Sequence, residues 1–224
     1  MNEVPFWPLL VWGTIAGLDL ASVLQGLLNR PLVAGTVAGL IIGDGEAGLR
    51  IGAALELFAL DVLPVGAARY PDYGAATVAG VALGAWQPWA AALGVSVLLG
   101  LLLAQLGGWT VIAHRRVNAW ALHRSALALD RGDPGVAVRL HLLGIGTDLL
   151  RSAALILLGL GAVAVLDRAP HFDSATGQAL TVVALAGGLV ALIGGALRRA
   201  GTLRSLAWLA GGIAVGIAGL AALS

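Results

Sequence analysis

The chain reads as an all-α polytopic membrane protein, built of transmembrane helices and re-entrant helical hairpins, and three observations lead there. Hydrophobic residues fill 59% of the 224 positions against 11% charged, with a mean hydropathy of +0.93, far from a soluble domain. Thirty-three glycines, many beside alanine, suit helices whose backbones approach closely in lipid. Asp44, Glu46, Glu56, Asp61 and Asp72 interrupt apolar, glycine-rich runs, and a carboxylate at membrane depth faces a cavity or a partner. A single membrane-embedded domain over residues 1–224 is expected, with a polar pathway near residues 29–72.

The elements follow from hydropathy and breaks. No basic n-region or small-residue cleavage site precedes the first apolar run, so residues 6–28 are expected to stay as a span and to serve insertion. Residues 31–63 hold apolar runs of only about a dozen residues, short of the roughly 20 that a span needs. They break at Gly43-Asp44-Gly45-Glu46 and again at Asp61 and Pro64, which predicts a re-entrant hairpin seated against protein or a wet cavity. Gly43-Asp44-Gly45 is a turn signature, read as structural. Residues 74–112 are long enough for two spans with a break near Gln87-Pro88, and further spans are expected at 142–166, 179–197 and 206–223.

Between 113 and 141, Arg115, Arg116, Arg124, Arg131 and Arg139 alternate with Val117, Trp120, Leu122, Leu127 and Leu129. This predicts an amphipathic helix on the cytoplasmic membrane surface, with a solvated connector as the alternative. A second basic cluster, Arg198, Arg199 and Arg204, follows two spans later and so shares that side, leaving the loop at 167–178, with His171 and Asp173, and the C-terminal Ser224 outside.

Several chemistries find no support. A net charge of +1 without a basic stripe excludes a phosphate-neutralising surface, so no nucleic-acid partner is expected. Without cysteine there is no disulfide, thiolate metal site or thiol nucleophile. His114, His123, His141 and His171 show no i, i+4 carboxylate pattern and are read as surface residues, so no metal is expected. Neither a phosphate loop nor a Gly-x-Ser-x-Gly elbow occurs, and no catalytic residue or cofactor is assigned. Asp148 and Arg151, at i and i+3, are read as a structural pair.

Four stretches together are specific: Arg30-Pro31-Leu32-Val33-Ala34-Gly35-Thr36, Ile42-Gly43-Asp44, the run Ile51 to Leu60 with Glu56 in its middle, and Val65-Gly66-Ala67-Ala68 followed by Pro71-Asp72. In order and spacing, over about residues 14–80, the chain resembles the membrane subunit IIC of the mannose/fructose/sorbose family of the bacterial phosphoenolpyruvate-dependent phosphotransferase system. The resemblance implies a multi-pass subunit of the bacterial inner membrane that translocates a hexose-like sugar and pairs with a membrane subunit IID in an oligomer. It further implies an elevator-like movement of a hairpin-bearing core and delivery of sugar to cytoplasmic IIB, itself served by IIA. The phosphoryl group is then carried by a histidine of IIB, so this chain is a transport subunit and not an enzyme.

Sugar hydroxyls donate and accept, so carboxylates and amides in a concave site are the groups to look for. Glu56 lies in the segment that resembles the family's sugar-contacting element; the alternative is a carboxylate paired with Arg50 or Arg69. Asp72 matches the family's Pro-Asp; the alternative is an N-cap for the helix that follows. Asp61 is added just upstream of Pro64, where the family often has asparagine. The first helix departs from the family pattern, so Gln25 is read as taking over a polar role, and Asp19 as a further sugar contact or a partner of a neighbouring helix. Substrate binding is thus assigned to Glu56, Asp72, Asp61, Gln25 and Asp19, in a mobile block at 31–72 whose polar tips reach the sugar. The alternative function is a non-conducting membrane scaffold or assembly subunit of the same fold.

Overall fold

The computed structural model describes residues 5–23, 25–61, 69–85, 89–168 and 173–199, with short helical stretches at 207–208, 210–212 and 214–215. Pro64 and the stretch after it, the break at Gln87-Pro88, His171 and most of the span expected at 206–223 lie outside the described residues. Every regular element among the described residues is helical: α1 Phe6–Leu18, α2 Pro31–Ile42, α3 Gly45–Ala59, α4 Tyr73–Gly84, α5 Trp89–Arg124, α6 Ala126–Asp130, α7 Pro134–Leu166 and α8 Ser174–Arg199.

The hairpin expected from the short apolar runs is α2 and α3. Proline at the first position starts α2, Gly43 ends it at φ 94° in the left-handed region, and the Asp44 carboxylate starts α3 by accepting from the Ala47 N–H at 2.9 Å. The Asp44 turn is therefore structural. The two helices meet along facing glycines. A Cβ on Gly35 would stand 2.7 Å from the Gly48 carbonyl oxygen, and one on Gly39 would stand 2.7 Å from the Gly48 Cα. Only glycine admits so close a backbone approach, which is how helices associate where apolar burial gives little drive.

Two expected spans are shorter. The first helix stops at Leu18 instead of running to residue 28, and α4 has 12 residues, about 18 Å at 1.5 Å per residue. Every residue of α4 is buried, and it touches α1, α2, α3, α5 and α7, so it forms the centre of the molecule and not a lipid-facing span. Three described helices, α5, α7 and α8, are long and apolar enough to cross a membrane. α8 lies against α3 and α5 on the outside, with Val182, Val183 and Val190 exposed.

The 113–141 segment is not a separate surface helix. Residues up to Arg124 continue α5 without interruption, α6 makes one short turn, and residues from Pro134 open α7, whose N-terminus is capped by Asp133 accepting from the Gly135 N–H at 2.8 Å. No glycine or proline stands between Gly108 and Arg124 to stop the helix. α5 and α7 thus extend together beyond bilayer thickness as an arginine-bearing helical pair.

Candidate functional site

Where α1 ends, the chain turns back on itself around one carboxylate. Asp19 is almost fully buried, and its Oδ1 accepts from the Gly26 N–H at 2.8 Å while Oδ2 accepts from the Asn29 N–H at 3.0 Å. A charged acceptor satisfying backbone donors of a loop is a strong local constraint. It brings residues 19–30 into a compact loop in which Gln25 takes φ 47°, an uncommon conformation for a residue with a side chain. An apolar run cannot announce such an ending, because the capture depends on residues seven and ten positions downstream.

This loop forms one wall of a cavity of about 730 Å³, lined by Asp19, Leu20, Ala21, Gln25, Gly26, Asn29 and Arg30, and facing Tyr70 and α5 residues His114, Arg115 and Asn118. The size suits a small polar ligand. Gln25 and Asp19, both expected from sequence, meet here. Tyr70, His114, Arg115 and Asn118 were not foreseen. His114 is buried, not a surface residue: its Nδ1 lies 3.2 Å from the Thr147 hydroxyl and its Nε2 3.0 Å from the Asn118 amide nitrogen. Arg115 donates to the Tyr70 hydroxyl at 2.7 Å and sits over its ring. The helical register was the one available signal, since positions 114, 115 and 118 share a face of α5. A second compartment of about 510 Å³ adjoins the first across Gln25, His114 and Asn118 and runs between the extensions of α5 and α7.

Glu56 sits just behind the cavity. It forms an ion pair with Arg30, a cavity-lining residue, and its other oxygen accepts from the Leu32 N–H at 3.1 Å. The pairing expected with Arg50 or Arg69 is replaced by Arg30. Arg50 instead pairs with Glu46 one turn away, and the Arg69 guanidinium stacks 4.3 Å from the centre of the Trp109 ring. The α2–α3 hairpin therefore presents its open end, Arg30 and Glu56, to the cavity. Its tip is at the other end of the molecule, since Ala47 and Arg50 line a separate, largely apolar cavity of about 390 Å³ with Ala92, Leu93, Gln178 and Thr181. Leu93 and Arg115 stand about 33 Å apart along α5 at 1.5 Å per residue. The polar tip of the hairpin therefore does not reach this cavity; its open end does.

Asp72 and Asp61 do not line the cavity. Asp72 precedes α4, but its side chain makes no cap; it is fully enclosed, and its Oδ2 accepts from Arg151 Nη1 at 2.7 Å. Arg151 Nε donates to Asp148 Oδ1 at 2.6 Å, so the expected Asp148–Arg151 pair exists within a larger network. Asp61 follows α3 and lies against Gly195 of α8, where no Cβ would fit. No cluster of metal-ligating side chains occurs among the described residues.

Comparison with known proteins places this arrangement in a family. The family model for "PTS system sorbose-specific iic component" matches residues 6–200. A fructose permease IIC component from Bacillus subtilis is 34% identical over 126 residues, 56% of this chain and 45% of that protein. A sorbose-specific EIIC component from Klebsiella pneumoniae is 32% identical over 144 residues, 64% of this chain and 53% of its own length. This chain thus spans about half the length of these curated relatives. A chain of the solved complex described as "Mannose Transporter ManYZ and Microcin E492 (MceA)" shares the fold, with a TM-score of 0.59 at 21% identity over 100% of this chain and 94% of that one.

Proposed function

Because the chain belongs to the family of sorbose-specific IIC components of the phosphotransferase system, we propose that it is the sugar-translocating subunit of a complex with IID, IIB and IIA, and that the 730 Å³ cavity is its sugar site. Members of this family are transport components, and phosphoryl transfer belongs to other subunits. The observation that carries the reading is the lining. Gln25, Asn29 and Asn118 offer amides that both donate and accept, Tyr70 a hydroxyl, Arg30 and Arg115 guanidinium donors, within one concavity of sugar size.

Among the residues expected from sequence, Gln25 contacts the sugar, Asp19 shapes the loop that presents it, and Glu56 acts through Arg30. Asp72 and Asp61 support the frame. The arginine-rich extension of α5 and α7 marks the cytoplasmic side, because basic segments near spans resist translocation. α7 and α8 then bring Arg198 and Arg199 back to the same side. A cavity opening at this end faces the compartment where IIB receives sugar, in the inner membrane of a bacterium.

The test is uptake of labelled mannose, fructose and sorbose by the chain reconstituted with its IID, IIB and IIA partners. Gln25→Ala and Asn118→Ala should each raise the KM of the transported sugar several-fold with little change in maximal rate. Unaltered KM in both variants refutes the cavity assignment. Absence of uptake for every sugar by the intact complex would favour the non-conducting scaffold.

A further inference from the structure

Asp72 and Asp148 are fully enclosed, Arg151 is buried between them, and none of the three lines the cavity. Arg151 uses its whole guanidinium: Nε to Asp148, Nη1 to Asp72 and, at 3.4 Å, to the Thr110 hydroxyl, Nη2 to the Gly17 carbonyl at 3.2 Å and the Ser152 hydroxyl at 3.0 Å. Two carboxylates against one cation leave a formal charge of −1 sealed from water. Each acceptor left unfilled in such a group is costly, and Asp72 Oδ1 already has no hydrogen-bond partner. For Asp148 the remaining oxygen, Oδ2, is filled by a single donor, the hydroxyl of Ser22 at 2.5 Å.

Ser22 belongs to the loop at 19–30, between Asp19 and Gln25. The network therefore holds the last turn of α1 at the Gly17 carbonyl and the loop itself at Ser22, three residues before Gln25. The Asp19 carboxylate closes the loop on itself but does not attach it to anything else. Attachment to the long helices comes from α7 through Asp148 and Arg151.

We infer that the Ser22–Asp148–Arg151 network is the anchor that positions the cavity-lining loop, so that Ser22 and Asp148 set sugar affinity without touching sugar. The inference rests on the cavity being the sugar site. Removing the Ser22 hydroxyl leaves a buried carboxylate oxygen without a donor, and the loop must shift to admit water or another donor to it. Gln25 and Asn29 then lose their places across from Asn118. Asp148→Ala removes the same attachment by another route while leaving Asp72 and Arg151 as a neutral pair.

The experiment measures uptake by the complete reconstituted complex, where KM is independent of how much protein inserts. Ser22→Ala should raise KM about tenfold with maximal rate within about twofold, the size expected for losing a hydrogen bond to a charged group. Ser22→Thr, which keeps the hydroxyl, should restore it. In an Asp148→Ala background, Ser22→Ala should change KM no further. As a readout independent of uptake, a cysteine at Ala21 in this cysteine-free chain should react faster with a maleimide in the Ser22→Ala protein than in its parent. Unaltered KM in Ser22→Ala, additive effects of Ser22→Ala and Asp148→Ala, or an unchanged labelling rate overturns the anchor, provided Gln25→Ala raises KM in the same preparation. If Gln25→Ala also leaves KM unaltered, the cavity assignment fails and the anchor's role in affinity falls with it.

Discussion

The glycine seam of the α2–α3 hairpin yields the most quantitative prediction. Gly35→Ala places a methyl 2.7 Å from the Gly48 carbonyl oxygen and 2.9 Å from the Gly52 Cα. Both neighbours are backbone, so neither can rotate away as a side-chain end would. To restore van der Waals distance, α3 must retreat by about 0.7 Å at this point. α3 is not free to do so: Leu55 packs against Gly100 of α5, and Phe58 and Leu57 lie against Gly187 and Gly188 of α8. Overpacking of this kind costs about 1–3 kcal/mol. At about 2–4 °C per kcal/mol for a chain of this size, the melting temperature in detergent should fall by roughly 5 °C. Because Arg30 and Glu56 close the open end of the same hairpin, sugar affinity should weaken in parallel.

Gly161→Ala provides the contrast. Its Cβ meets nothing within 4 Å on α7, so the substitution should be neutral or raise stability by up to about 1 kcal/mol through helix propensity. The assay is a thermal shift on purified protein for both variants, side by side. Equal melting temperatures for Gly35→Ala and the parent would refute the close-approach reasoning, since no relaxation of side chains can accommodate that methyl.

Three other outcomes are expected. Glu56→Gln keeps an acceptor for the Leu32 N–H but loses the ion pair to Arg30, so uptake should fall at least tenfold with membrane insertion intact; normal uptake by a correctly inserted complex would remove Glu56 from the site. A cysteine at Ala128 should be protected from an impermeant thiol reagent in intact cells while one at Thr176 is labelled, and the reverse pattern would invert the orientation. A disulfide between Leu57→Cys and Gly188→Cys, facing positions on α3 and α8, should arrest uptake until reduced if the hairpin slides during transport; full uptake in the oxidised state would show the hairpin static.

What was legible in the sequence is what depends on neighbours along the chain. The α2–α3 hairpin follows from apolar runs too short to span, a proline to start, and Gly43-Asp44 to turn, and each of these acts locally. The courses of α7 and α8 follow from hydropathy alone, though α7 begins eight residues earlier than its apolar stretch, at Asp133-Pro134. The end of α1 was hidden because the group that stops it, Asp19, acts on Gly26 and Asn29 only once the loop has closed. The 113–124 stretch was misplaced for a different reason. Arginines at the end of an apolar helix signal a surface, but nothing in the sequence breaks the helix there, so continuity wins over the tendency to lie flat.

The candidate site was half legible, and the division has a physical cause. Every acidic residue in an apolar setting was a reasonable ligand candidate, because a carboxylate there requires an explanation. The protein itself supplies that explanation in most cases: Asp19 accepts from loop N–H groups, Asp72 and Asp148 pair with Arg151, and Glu56 with Arg30 and the Leu32 N–H. Charges strong enough to be noticed in sequence are the ones a membrane fold must neutralise first. Beside Arg30 and Arg115, the groups left to line the cavity include weaker ones, the amides of Gln25, Asn29 and Asn118 and the hydroxyl of Tyr70, which cost little at an interface and so leave little trace in composition. In this chain most of the conspicuous carboxylates build the frame, and under the proposed sugar site recognition falls to the inconspicuous neutral side chains that the frame holds in place, together with Arg30 and Arg115.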